Sequence, residues 1–280
     1  MQVIRERDAL AAAVAEYRSE GARVVLVPTM GALHAGHVSL IEAAKRPGTK
    51  VVASIFVNPR QFGPNEDLGR YPRREMADIR MLTEAGCDAV WMPSVDTMYP
   101  DGFATTIHVS GVSEGFDGAA RPGHFDGVAT VVTKLFNQVR PDAAYFGEKD
   151  FQQIAVIRRM VADLDMGIEI VGVPTQREDD GLALSSRNIY LDADERAKAV
   201  ALPRALGVAA RAIARGEDVV AVLDDARTTL AAAGFEVDYV ALADAETLAV
   251  EPAADRPRRL LAAARMGSTR LIDNVPVDQG

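Results

Sequence analysis

Two of the four histidines of the chain, His34 and His37, lie three residues apart in one short segment, PTMGALHAGHVSL. The segment follows an apolar stretch that predicts a buried strand, and a helix is predicted to begin near Gly36. A helix N-terminus presents free N–H groups and a positive dipole end, so this position favours a phosphate ligand. Both imidazoles could donate hydrogen bonds to one phosphate group and stabilise charge that develops there. Gly31 and Gly36 would let the backbone approach a nucleotide closely.

A bare H-x-x-H pair also has two simpler interpretations. The histidines could be polar residues of an ordinary loop, or they could bind a metal ion. Zinc would need a third strong ligand, and positions 28–40 contain no Cys, Asp or Glu. We therefore exclude a metal pair in this segment. A Walker loop is excluded as well, because the chain contains no G-x-x-x-x-G-K-[ST] motif.

Two later polar segments could serve the same site. The GEKD segment follows a predicted strand, so Lys149 could reach phosphates as a point cation and Asp150 could accept from a ribose hydroxyl. A solvated surface lysine is the alternative. In the SSRN segment, Ser185, Ser186 and Arg187 could surround phosphate oxygens. A helix N-cap followed by a surface arginine explains that segment equally well.

Two glutamines could bind a small hydroxy acid. The uncharged amides of Gln61 and Gln153 suit hydroxyl and carboxylate groups, and Asn58 could support them. Burial of such amides without partners would be costly, although either glutamine could instead be exposed.

Strands and helices alternate regularly through the first two thirds of the chain. Strands are predicted at 23–30, 50–57, 88–92, 143–146 and 168–173, and helices at 36–45, 75–85, 126–139 and 152–164. This alternation predicts an α/β fold with a doubly wound, Rossmann-like parallel sheet, whose ligand crevice lies at the carboxyl ends of the strands.

The pattern changes after about residue 188. Ala-rich helical stretches at 192–214 and 218–233 precede strands at 235–242, 259–265 and 269–275, which predicts a smaller α+β domain. We expect a ligand-binding domain at 1–177 and a C-terminal lid domain at 178–280.

Composition narrows the class of protein. The 280 residues carry a net charge of −9, which disfavours a protein whose main task is binding nucleic acid. Charged residues interrupt every apolar run before the roughly 18 residues of a membrane span, and the start, MQVIRERDAL, lacks an apolar signal core. The single cysteine excludes an internal disulfide framework. We expect a soluble cytoplasmic protein that binds neither membranes nor nucleic acid.

Four segments together resemble the pantothenate synthetase (pantoate–β-alanine ligase) family of the H-x-G-H nucleotidyltransferase superfamily. They are PTMGALHAGHVSL, SIFVNPRQFGPNEDLGRYPR, GHFDGVATVVTKLFNQVRPDAAYFGEKDFQQ and VPTQREDDGLALSSRN, in the family's order and spacing. They cover most of 28–188, whereas the C-terminal region is a looser match. The resemblance implies ATP-dependent condensation of D-pantoate with β-alanine, through a pantoyl adenylate, to give pantothenate, AMP and pyrophosphate.

The resemblance also implies roles for individual residues. His34, His37 and Lys149 would be catalytic. The nucleotide would bind to Pro28, Met30, Gly36, His37, Gly147, Lys149, Asp150, Val173, Leu184, Ser185, Ser186 and Arg187. Leu184 stands where the family often has Met, a volume-conserving change. Pantoate would bind to Met30, Asn58, Gln61 and Gln153, with Pro28 lining its pocket and Tyr71 and Arg121 near the rim.

A metal, an oligomer and two histidines complete the expectations. Asp78 matches a family position associated with Mg²⁺, but Ala77 replaces a second acid that some relatives have. Mg²⁺ would then be bound mainly by ATP oxygens and water. The resemblance implies a homodimer. His108 is interpreted as structural, and His124 receives no role.

Three other functions remain open. Another nucleotidyltransferase would share the histidine segment and release a stable nucleotidyl product. A second alternative is a module that binds a nucleotide without turnover. The third, a tRNA-charging enzyme, is disfavoured by the acidic charge.

Overall fold

The large sheet confirms the doubly wound prediction. A computed structural model describes residues 1–64, 66–250, 252–253 and 255–277. Within them, six parallel strands form one sheet in the order β1-β4-β3-β2-β5-β6. The strands are β1 (Gln2–Ile4), β2 (Arg23–Thr29), β3 (Thr49–Ile55), β4 (Ala89–Trp91), β5 (Ala143–Gly147) and β6 (Glu169–Val173).

Helices cover both faces of this sheet, because its central strands are apolar on both sides. In β2, Val24 and Leu26 face one core cluster and Val25 and Val27 face the other. The α-helices in the described residues of this part are α1 (Arg7–Ser19), α2 (Ala35–Ala44), α3 (Glu75–Glu84), α4 (Val95–Met98), α5 (Phe116–Ala120), α6 (His124–Val139) and α7 (Phe151–Asp163). Helices α2 and α3 pack on one face, and α1, α6 and α7 pack on the other.

The strand order places a crevice between β2 and β5. These two strands are neighbours, with Val25 paired to Ala143 and Leu26 paired to Ala144. The chain leaves β2 through α2 toward β3, and it leaves β5 through α7 toward β6 on the opposite face. The two connections therefore diverge at the carboxyl ends of the strands, where doubly wound sheets bind their ligands.

The C-terminal part forms the predicted smaller α+β unit. An antiparallel sheet contains β7 (Glu236–Asp244), β8 (Arg258–Met266) and β9 (Thr269–Val277). Helices α8 (Ala193–Ala199), α9 (Ala201–Ala214) and α10 (Val219–Ala232) accompany it. Leu206, Leu230 and Leu260 are fully buried in their shared core. The boundary between 177 and 178 stays a prediction; it lies between the last residue of β6 and the first of α8.

Some elements differ from the sequence expectation. Strand β1 and helix α1 were not predicted, nor were the short helices α4 and α5. The single helix expected at 192–214 is two helices, interrupted at Val200. Pro203 explains the interruption, because proline has no N–H to donate to the Ala199 carbonyl and its ring would clash with that group in a continuous helix. No helix among the described residues is both long and apolar enough to cross a membrane.

Candidate active site

Two adjoining cavities open at the crevice between β2 and β5. The smaller cavity, of about 220 Å³, lies against the start of α2, and the larger cavity, of about 470 Å³, extends toward β9. All predicted site residues except Asn58, Asp78 and Val173 line the smaller cavity. Lys149, Asp150 and Gln153 line both. The fold therefore brings together residues from segments more than 150 positions apart in the chain, and their functional roles stay predictions.

The two histidines form the N-terminal cap of α2. The Nδ1 atom of His34 accepts a hydrogen bond from the Gly36 N–H at 3.1 Å, and Nδ1 of His37 accepts from the His34 N–H at 3.3 Å. The two rings lie 4.2 Å apart between centroids. Because each Nδ1 acts as an acceptor, the proton of each neutral ring must be on Nε2. Each histidine thus keeps one N–H donor for a ligand.

Burial keeps both rings neutral. Burial, with the charge of Lys149 adding to it, lowers the pKa of His34 to about 4. Burial, followed by His34 and Lys149, lowers the pKa of His37 to about 3. Near pH 7 the pair therefore consists of two neutral imidazoles, which stabilise a ligand by donating hydrogen bonds and carry no charge of their own.

Asp78 supports the loop that leads from β2 to the histidines. Gly31 and Ala32 have positive φ angles of 81° and 50°. The buried Asp78 carboxylate accepts hydrogen bonds from the Ala32 and Leu33 N–H groups, both at 2.9 Å. Asp78 lines neither cavity. This geometry gives it a structural task, and its contact with Mg²⁺ stays a prediction.

Asn58 orients Gln61 and does not itself reach the cavity. The Asn58 Nδ2 group donates to Gln61 Oε1 at 3.0 Å and to the Gly127 carbonyl at 3.1 Å, while its Oδ1 accepts from Tyr99 at 2.8 Å. The Gln61 Nε2 group then donates to the Met30 sulfur at 3.2 Å. A thioether is a weak acceptor, so a ligand oxygen would be a better partner for this donor.

Helix α6 begins with a histidine that sequence analysis left without a role. His124 lines both cavities, and its Nδ1–H donates to the Gln61 carbonyl at 2.8 Å. Its Nε2 accepts from Arg121 at 2.9 Å. Burial, with the Arg121 charge adding to it, lowers the pKa of His124 to about 4. His124 therefore fixes the backbone of Gln61, a residue 63 positions away, so no local motif could have revealed it.

Arg121, predicted at the rim of the pantoate pocket, is paired with an acid. Its guanidinium binds both oxygens of Glu66, at 2.6 and 2.7 Å. Burial acts to raise the pKa of Glu66, but the hydrogen bonds and charge of Arg121 lower it to about 2. The arginine thus holds the loop after β3 in place, and its contact with a substrate stays a prediction.

The other phosphate-binding candidates lie in short 3₁₀ turns. Lys149 belongs to the turn Glu148–Asp150 between β5 and α7, and its side chain is 19% exposed. Arg187 belongs to the turn Ser186–Tyr190, where the Ser185 hydroxyl accepts from the Arg187 N–H at 3.2 Å. Sequence analysis did not identify the partner of Arg187, the Asp67 carboxylate, which accepts two hydrogen bonds from the guanidinium at 3.0 Å each.

Two remaining predictions lie outside the cavities. Val173 ends β6 and is buried in the core, paired with Gly147, so a nucleotide could contact only its backbone. His108 forms a surface pair with Asp126 at 2.8 Å, and its structural interpretation stays a prediction. No group of three or more His, Cys, Asp or Glu residues that could hold a metal occurs in the described parts of the chain.

Comparison with known proteins identifies the family. The sequence model described as Pantoate-beta-alanine ligase matches residues 2–276. The chain belongs to this family. It is 66% identical over 279 residues to the pantothenate synthetase of Rhizorhabdus wittichii, covering 99% of both chains, and 58% identical over 278 residues to that of Sphingopyxis alaskensis, covering 99% of this chain and 100% of the other.

Solved structures agree with the family assignment. The pantothenate synthetase of Thermus thermophilus superposes with a TM-score of 0.91 at 48% identity, with 99% of each chain covered. The pantoate-beta-alanine ligase of Francisella tularensis, solved with Beta-gamma ATP and Beta-alanine, gives a TM-score of 0.83 at 33% identity, with 100% of this chain and 99% of the other covered. As a pantoate-beta-alanine ligase, the chain is an enzyme that joins an acid to the amine of an amino acid.

Proposed function

We propose that this enzyme uses ATP to convert D-pantoate into pantoyl adenylate and then transfers the pantoyl group to β-alanine, giving pantothenate. The observation that carries the proposal is the pair of neutral imidazoles at the start of α2, in a cavity shared with Lys149, each with an Nε2–H that donates to no described residue. A carboxylate does not react with an amine at neutral pH, so it must first gain a leaving group. The ligand names of the Francisella structure support ATP and β-alanine as substrates.

In the first step, a carboxylate oxygen of pantoate attacks the α-phosphorus of ATP. A C–O–P anhydride forms, the bond to the β-phosphate breaks, and pyrophosphate leaves. His34 and His37 donate their Nε2–H groups to the α-phosphate oxygens, and Lys149 adds a positive charge. Ser185, Ser186 and Arg187 bind the departing pyrophosphate. No protein nucleophile takes part, so catalysis comes from positioning and electrostatics.

In the second step, the neutral amine of β-alanine attacks the activated carbonyl carbon. The C–N bond forms, the bond to the AMP oxygen breaks with the electron pair leaving on AMP, and the amine nitrogen releases a proton to solvent water. The larger cavity adjoins the smaller one at Lys149 and Gln153, which offers the amine a route to the adenylate. The cavity walls shield the anhydride in part from water, which limits its hydrolysis.

Pantoate lies beside Gln61 and Gln153 in this proposal. Gln61 turns its Nε2 donor toward Met30 and the cavity, because Asn58 occupies its oxygen. Gln153 lies two residues past the start of α7 and lines both cavities. Pro28 and Met30 supply apolar contact, and Tyr71 closes the other side.

Mg²⁺ fits this site as a partner of ATP. Among the described residues the donors near the phosphate positions are few: Asp67 is paired with Arg187, and Asp150 lies near Lys149 at 3.8 Å. Mg²⁺ readily keeps waters and phosphate oxygens as ligands. Asp150 is the carboxylate best placed to meet it, and bound Mg²⁺ would neutralise phosphate charge. The predicted homodimer and cytoplasmic location stay predictions.

The proposal is tested by product analysis. Purified enzyme is incubated with ATP, Mg²⁺ and D-pantoate, with and without β-alanine, and products are followed by mass spectrometry. We expect pantothenate and AMP only when both acids are present, and an adenylate mass when β-alanine is omitted. A stable nucleotidyl product would favour another nucleotidyltransferase, and ATP binding without turnover would favour a non-catalytic module.

The role of the histidines is tested by substitution. His34→Ala should lower turnover by about 10²- to 10³-fold, because it removes a donor to developing charge. His108→Ala is the matched control, since His108 lies at the surface outside both cavities. A near-native rate for His34→Ala would exclude the proposed role.

A further inference from the structure

A residue of the small unit binds the backbone of the turn that carries Lys149. Asn274, in β9, is buried, and its Nδ2 group donates to two consecutive carbonyls, those of Glu148 and Lys149, both at 2.9 Å. The acceptors lie 126 and 125 positions away in the chain. The two hydrogen bonds therefore connect the small unit to the backbone of the lysine itself.

The orientation of the Asn274 amide is fixed from its other side. Arg259, in β8, donates from Nε to Asn274 Oδ1 at 2.6 Å, so Nδ2 must face the carbonyls. Arg259 is itself held by the Glu148 carboxylate at 3.2 Å and lies over the Phe151 ring at 4.4 Å. Every polar atom of the Asn274 amide is therefore used in this contact.

The turn has little local support of its own. Gly147, which precedes it, has no side chain, and Asp150, the cap residue of α7, makes no capping hydrogen bond with its side chain to any described residue. One 3₁₀ turn joins β5 to α7 here. Groups that bind the carbonyls of the turn therefore help to set the position of Lys149, and Asn274 binds two of these carbonyls.

We propose that Asn274 is a positioning residue for Lys149, through which docking of the small unit sets the lysine against the α-phosphate. The inference rests on the proposed role of Lys149. Asn274 lines neither cavity, so it acts only through the turn. A displacement of about 1 Å in a catalytic group can cost about 10²-fold in rate, so loss of both hydrogen bonds should be visible in turnover.

The test is a double-mutant cycle measured by pantoate-dependent exchange between ATP and pyrophosphate. Asn274→Ala should lower the exchange kcat by roughly 10- to 100-fold, with the KM for pantoate changed less than about twofold. In a Lys149→Ala background, Asn274→Ala should cause almost no further loss, because the group it positions is gone. Tyr239→Phe, which removes a different hydrogen bond between the units, to Asp117 at 3.1 Å, is the control and should leave the rate unchanged.

The outcomes separate this inference from the proposed function. Equal losses from Asn274→Ala in both backgrounds, or no loss in the native background, would overturn the positioning role while leaving the Lys149 role intact. A near-native rate for Lys149→Ala would overturn both. If Asn274→Ala does not fold, Asn274→Ser retains one donor and is carried through the same cycle. It should lose less activity than Lys149→Ala, and its loss should vanish in the Lys149→Ala background.

Discussion

Gly36→Ala tests whether the geometry of the histidine pair is catalytic. A Cβ atom at position 36 would lie 2.9 Å from both Cε1 and Nδ1 of His34, whereas ordinary contacts begin at 3.4 Å. The ring would have to move by roughly 0.5 Å, and the moved atom is the one that accepts from the Gly36 N–H at 3.1 Å. The substitution should therefore break the cap and redirect Nε2 without removing any catalytic group.

The expected effects on stability and activity differ in size. Loss of the cap lowers the free energy of unfolding by about 0.5–2 kcal/mol, and replacing glycine by alanine in a helix raises it by about 1 kcal/mol. The net change should therefore be no more than about 1 kcal/mol. Turnover should fall by roughly 10- to 100-fold, because the donors to the phosphate are displaced. Urea unfolding and steady-state formation of pantothenate measure the two quantities on the same preparations.

Gly207→Ala is the matched control. Gly207 lies in α9 and lines neither cavity, and a Cβ there would meet only the Arg211 guanidinium at 3.4 Å. It should raise the free energy of unfolding by about 0.5–1 kcal/mol and leave turnover unchanged. A Gly36→Ala enzyme with native turnover would refute the argument, because the position of the His34 ring would then not matter for the reaction.

Further predictions follow from the pKa values of the buried histidines and from other contacts. Burial lowers the pKa of His34, His37 and His124 from 6.5 to about 4, 3 and 4. As the pH falls below about 6.5, these histidines bind protons in the unfolded chain before they do in the folded protein. The free energy of unfolding should therefore be constant with respect to these groups above about pH 6.5 and decrease toward pH 4 by up to about 1.4 kcal/mol per pH unit for each histidine. The same values predict that kcat has no acid limb near pH 6.5, and a limb there that disappears in His34→Asn would contradict them. Gly127→Ala would put a Cβ 2.3 Å from the Arg60 carbonyl oxygen and so displace the turn that carries Gln61. This variant should have a KM for pantoate raised about tenfold and an unchanged KM for ATP. Equal changes in both constants would argue against the assignment of Gln61 to pantoate. Asp78→Asn removes one of the two oxygens that accept from the Ala32 and Leu33 N–H groups. The free energy of unfolding should fall by about 1–3 kcal/mol and the melting temperature with it, while the Mg²⁺ concentration for half-maximal rate stays the same. A large rise in that concentration would instead identify Asp78 as a metal ligand.

The sequence predicted the large sheet because its strands are buried on both faces. Runs such as VVASIFV, in which Ser54 is the one polar residue, leave few alternatives to a central parallel strand, and the histidine segment follows directly after another apolar run, VVLV. The position of the crevice then follows from the strand order, because the connections after β2 and β5 leave the sheet on opposite faces. The edge strand β1 has only three residues, and α4 and α5 have four and five, so none shows a hydrophobic period long enough to identify it.

The partners of the site residues could not be predicted in the same way. Asp67 is 120 positions from Arg187, and Asn274 is 125 from Lys149. Such pairs depend on how distant segments pack, which local periodicity does not encode. The acidic residues of the segment GPNEDL were visible in the sequence, yet nothing there indicated that they would neutralise Arg121 and Arg187.

The start of α2 departs from what helix stability alone would favour, and the departure has a chemical reason. Ser, Asp or Asn would cap the helix at position 34 at least as well as His, and Ala at position 36 would favour the helix by about 1 kcal/mol. Ser and Asp have no N–H to direct at a ligand, and Asn, which has both an acceptor and an N–H donor, is shorter than imidazole, which accepts at Nδ1 and donates farther from the backbone at Nε2. Glycine at 36 then leaves room for the ring, since any Cβ would contact it at 2.9 Å. His34 and Gly36 are therefore explained by the neutral donor at the helix N-terminus and not by helix stability, and the burial that keeps His34 and His37 neutral also makes the fold sensitive to acid.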